Sequence, residues 1–66
     1  MKIIRELTPK EMYCSTGLCP AIFETDENSY VLIGKKIDAD KLGIGKRVAD
    51  DEVVVEVPRR LIDKSV

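Results

Sequence analysis

The hydrophobic positions of this chain fall in short runs, and most of them alternate as strands do. The plainest is Glu52-Val53-Val54-Val55-Glu56-Val57, where Val53, Val55 and Val57 share one side and Glu52 and Glu56 flank Val54 on the other. A second strand is expected over Ala21-Ile22-Phe23-Glu24-Thr25. Pro20 in front of it cannot donate to a ladder and so marks a strand start or an edge. Asp26-Glu27-Asn28-Ser29 reads as a turn, with Asn28 best suited to the left-handed conformation. Tyr30 to Ile37 is then the return strand of a hairpin. Its first half is apolar on both faces, which predicts cover on two sides. Gly34 interrupts it where a bulge or a close backbone approach is expected. Lys2–Leu7 alternates poorly and is read as a first strand.

Helical signals are short. Thr8-Pro9-Lys10-Glu11 offers Thr8 as N-cap, Pro9 at the first position and Glu11 at the capping-box position, but only a turn or so of helix fits before Cys14. Asp38 can cap Ala39-Asp40-Lys41-Leu42, which Gly43 stops, with Ile44 placed for a Schellman-type contact. Gly45 to Asp51 is a polar connection. Val57 before Pro58 disfavours helix, whereas Pro58 can open one that runs to Val66 with Leu61, Ile62 and Val66 available to dock. The fold class that follows is α+β. It is a single domain over 1–66, with a mainly antiparallel sheet of three to four strands around the central hairpin 20–37 and short helices near Pro9, Ala39 and Pro58. The core is expected at Ile3, Leu7, Ile22, Phe23, Val31, Ile33, Leu42, Val53, Val55, Val57, Leu61 and Ile62.

Size changes the picture. A chain of 66 residues buries only about 60% of its unfolded surface, so a staple is expected: a disulfide, a metal or a partner subunit. Hydrophobic residues at 44% and charged residues at 35% describe a folded chain, not a disordered one. The apolar runs are strand-sized, too short for a membrane span, and the start lacks a long apolar segment, so a cytoplasmic location is expected. A net charge of −1 argues against a general polyanion binder. Histidine is absent, which removes the usual general base and the commonest metal ligand, and the chain is read as not an enzyme.

Candidate chemistry centres on Cys14 and Cys19, with four residues between them and thus outside the two-residue redox spacing. They can be reduced packing residues, a disulfide closing a tight loop, or a metal half-site. Two thiolates cannot complete the four-ligand shell of structural zinc, so zinc would need carboxylates or the same pair from a second chain. Lys10 could lower a thiol pKa, though no histidine is present to deprotonate it. The basic doublets Lys35-Lys36, Lys46-Arg47 and Arg59-Arg60 would form a phosphate-binding patch if grouped, but Asp38, Asp50 and Asp63 sit close by. Tyr13, Phe23 and Tyr30 are too few for a base-stacking platform. The carboxylates Asp38, Asp40, Asp50, Asp51 and Glu52 lack the order of an EF-hand loop, and Gly43-Ile44-Gly45-Lys46 lacks the spacing of a phosphate loop.

Cys14-x4-Cys19-Pro20-Ala21-Ile22-Phe23, Thr25-Asp26, Tyr30-Val31-Leu32-Ile33-Gly34 and Val55-Glu56-Val57-Pro58 together resemble short uncharacterised prokaryotic proteins with a cysteine-proline hairpin. That resemblance implies no activity. Leu42-Gly43-Ile44 and Val57-Pro58-Arg59-Arg60-Leu61 resemble elements of the AbrB/MazE-type swapped-hairpin dimers, here in the opposite order. This second resemblance implies a DNA-binding dimer using Lys46, Arg47, Arg59 and Arg60. The function expected first is a small non-catalytic interaction or regulatory module, with a protein partner that can be a second copy and no cofactor. A dimeric DNA-binding regulator and a thiol redox or metal-responsive protein are the alternatives.

Overall fold

The computed structural model describes residues 1–14 and 19–65. Among these residues it is an α+β fold of five short strands, three 3₁₀ turns and one helix. Strands β1 (Ile3–Glu6), β2 (Ala21–Thr25) and β3 (Tyr30–Ile33) form one antiparallel sheet in the order β1-β2-β3. Strands β4 (Lys35–Ile37) and β5 (Val54–Glu56) form a second, two-stranded one. Helix α1 spans Arg59–Ser65 and packs on β2.

The central hairpin lies where the alternation placed it. Phe23 pairs with Val31 and Ile22 with Leu32. The chain reverses over Asp26–Asn28, with Asn28 at a φ of 59°. Three contacts brace this turn. The Thr25 amide donates to the Ser29 carbonyl at 3.0 Å, the Thr25 and Ser29 hydroxyls are 2.7 Å apart, and the Glu27 amide donates to the Thr25 hydroxyl. Beside it β1 pairs with β2 across a register shift between Ile3 and Arg5. Arg5 stands opposite Glu24, and its Nε donates to the Glu24 carboxylate at 2.9 Å.

The return strand is one stretch of extended chain serving two sheets, divided at Gly34. A Cβ on Gly34 would lie 2.7 Å from a Val57 methyl and 2.8 Å from the Glu56 carbonyl oxygen. Only glycine lets β5 cross that closely, which is the close approach its position suggested. Asp38 accepts from the Asp40 amide and caps the 3₁₀ turn Ala39–Leu42. Gly43, at a φ of 74°, ends it, and the Ile44 amide reaches back to the Ala39 carbonyl.

Several expectations are corrected. Thr8 does not cap the 3₁₀ turn Lys10–Met12, which starts from Pro9 with no side-chain cap. Its hydroxyl instead accepts from the Ile22 amide at 3.1 Å and is buried. A buried strand donor outcompetes an exposed helix end, because an unpaired amide costs most away from water. Gly45–Arg47 forms a 3₁₀ turn inside the stretch read as plain connection. The core is far smaller than expected. Among the described residues the buried apolar side chains are Ala21, Ile22 and Leu61. Leu7, Phe23 and Val57 are half-buried, whereas Ile3, Val31, Ile33, Leu42, Val53, Val55 and Ile62 are exposed. Two thin sheets and a single short helix cannot cover both faces of an apolar strand. All of β3 is uncovered for that reason.

Candidate functional site

The candidate site is the end of β3, where Ile33 and Gly34 line a cleft together with Cys19. Cys14 follows the Lys10–Met12 turn, Cys19 precedes Pro20 and β2, and the two are joined as a disulfide with Cα atoms 6.1 Å apart. That separation lies within the usual span for such bridges. Among the three readings of this pair, the geometry is that of the bonded one. Residues 15–18, and with them Gly17, lie outside the described residues, as does Val66. Cys19 and Pro20 separate two hollows. One, of about 570 Å³, is lined by Cys19, Pro20, Ile33, Gly34, Val57 and Pro58, with Lys35 and Glu56 at the same cleft. The other, of about 250 Å³, includes Thr8, Met12, Tyr13, Cys14 and Ala21. Ile33 belongs to both.

The cleft is mainly apolar, with one lysine and one glutamate. It lacks a nucleophile paired with a base, and the sequence has no histidine to supply one. It can take an apolar side chain or an extended segment of backbone. No group of three or more cysteines, aspartates or glutamates among the described residues could hold a metal ion.

Beyond the cleft, β3 continues as a wholly apolar edge. Tyr30 is 57% exposed, Val31 36%, Leu32 40% and Ile33 51%. β3 pairs with β2 alone, so its other edge carries no strand among the described residues. The sequence held this signal in its four consecutive apolar residues. Periodicity read them as doubly covered, where the structure leaves them bare.

The basic doublets are distributed over three elements: Lys35 and Lys36 in β4, Lys46 and Arg47 in the Gly45–Arg47 turn, and Arg59 and Arg60 in the first turn of α1. All six are exposed. Arg60 lies in the field of Glu11, whose carboxyl is held below its ordinary range chiefly by a backbone hydrogen bond and then by Lys64, 3.1 Å away. Its charge is therefore partly directed at an acidic neighbour.

Fold and site together define a small α+β domain with a disulfide-bridged loop and an open apolar strand. No family model, no curated protein and no solved structure matches the chain.

Proposed function

We propose that this chain is a non-catalytic interaction module that receives another protein chain along β3 and the cleft at its end. One observation carries the reading. Tyr30, Val31, Leu32 and Ile33 are a third or more exposed on both faces of an edge with no pairing strand among the described residues, and there is no charge or proline among them. Natural proteins blunt such edges with lysine, proline or a bulge unless the edge is used. A strand added there would gain main-chain hydrogen bonds, and the cleft would take an alternate side chain, as in β-augmentation. A photoreactive amino acid in place of Leu32, in the full chain and in its host cells, should give a covalent adduct containing a defined protein. The same probe at exposed Asp51 should not. Equal labelling at the two positions, or none at Leu32, overturns the reading.

A second reading is favoured by the position of the bridge. Cys19 walls both hollows, and Ile33 at the end of β3 lines both. Opening the Cys14–Cys19 bond would release the wall of the docking cleft and couple thiol state to partner binding. The double variant Cys14→Ser, Cys19→Ser should then bind like the reduced protein whatever the redox buffer. Partner binding that stays equal in the oxidised, reduced and double-variant forms rejects this coupling.

A further inference from the structure

We infer that the chain seated on β3 is a second copy of this protein. The two β3 strands would pair antiparallel about a twofold axis to make a continuous sheet in the order β1-β2-β3-β3-β2-β1. This inference rests on the docking reading above and names its occupant. Three independent observations support it.

The first is which backbone groups are free. The Thr25 amide donates to the Ser29 carbonyl, so this pair is the hydrogen-bonded kind, and alternation makes Phe23–Val31 and Ala21–Ile33 the same. The bonds made by Ile22 agree. Its carbonyl accepts from the Leu7 amide, and its own amide donates to Thr8, so both of its groups point towards β1 and away from β3. The amides and carbonyls of Tyr30 and Leu32 therefore point out from the open edge. With Val31 on the axis, Tyr30 of each copy stands opposite Leu32 of the other, and all four residues' outward groups find partners.

The second is charge. Tyr30, Val31, Leu32 and Ile33 carry none, and Asp26 and Glu27 of the preceding turn are engaged on the β1 side by the Lys2 amide and the Met1 amino group. Alignment about Val31 therefore sets no like charges opposite one another along the strand, as a twofold contact requires.

The third is area. A folded monomer of 7.4 kDa is expected to expose about 4,200 Å², whereas this chain exposes 5579 Å². The surplus of roughly 1,400 Å² exceeds the ~800 Å² that each partner gives to a standard stable interface. The radius of gyration agrees: it is 13.2 Å, against about 11 Å for a compact chain of this length.

Sedimentation equilibrium and native mass spectrometry of the full chain should show a dimer at micromolar concentration. Hydrogen exchange should show the Tyr30 and Leu32 amides protected along with those of Val31 and Ile33. Leu32→Lys keeps the backbone but sets a charge beside the axis, and should weaken dimerisation at least about tenfold. Because that variant can also disturb β3, Val31→Cys gives a second test. On the axis it stands opposite its own copy in a close, non-hydrogen-bonded pair, and it should join the two chains on oxidation. A chain that stays monomeric, a dimer whose Tyr30 and Leu32 amides exchange freely, or Val31→Cys chains that do not cross-link overturns the inference. A monomer whose Leu32 probe still captures another defined protein overturns the second copy alone and leaves the docking reading standing. A probe that captures nothing removes both.

Discussion

Single residues carry much of the stability because the buried set is so small. Thr8 is the clearest case: its hydroxyl is the partner of the buried Ile22 amide. Thr8→Val keeps the shape and removes the acceptor, leaving a strand donor unpaired, which should cost about 1–3 kcal/mol. Urea unfolding of the two proteins checks this, and an unchanged midpoint would show that water reaches Ile22. Gly34 is governed by space. The methyl added by Gly34→Ala would meet the Val57 side chain and the Glu56 carbonyl at under 3 Å. β5 would have to move, at a cost of about 1–3 kcal/mol typical of overpacking. Loss of β4–β5 amide protection, with the β1-β2-β3 sheet retained, is the expected signature. The sequence showed that Gly34 mattered. It could not show what crosses it, because Val57 lies more than twenty residues away along the chain.

At the scale of elements, α1 packs on β2 of the three-stranded sheet, and Leu61 is its anchor, fully buried. Leu61→Ala should cost about 2–5 kcal/mol, read as a drop in the thermal midpoint together with lost helical signal. The far end of α1 is tied to the Lys10–Met12 turn through Lys64 and Glu11, 3.1 Å apart and exposed. Glu11 has its pKa lowered in the folded state, so its contribution is present above the ordinary glutamate range and is lost as the pH falls through the lowered value. Glu11→Gln should therefore lower the thermal midpoint slightly at neutral pH. The gap from the parent protein should close in acid. A gap that persists at low pH would assign the effect to packing instead. The elements themselves were largely legible from sequence: Ala21–Thr25 from alternation, Asn28 from turn chemistry, Asp38 and Gly43 from capping. The misreading at Thr8 has a physical source, since a threonine before proline signals a cap locally and the competing Ile22 amide comes from fourteen residues on.

For the whole molecule, the three buried apolar side chains among the described residues give little of what a chain this size needs, and the bridge between Cys14 and Cys19 adds about 2 kcal/mol by loop closure. In the dimer inferred above, association would supply the remainder. The thermal midpoint should then rise with protein concentration, as it must when folding and pairing are linked. Scanning calorimetry at several concentrations checks it, and a concentration-independent midpoint would count against the dimer. The sequence by itself determined the strands, turns and caps, because these depend on neighbours two to four residues apart. It also supplied the apolar run Tyr30–Ile33. Only the tertiary structure decided that this run lies bare on an open edge, that Gly34 is where two sheets part, and that Thr8 serves β2. Burial depends on which distant elements arrive to cover a strand, and among the described residues the short helix α1 rests on β2 and leaves β3 exposed.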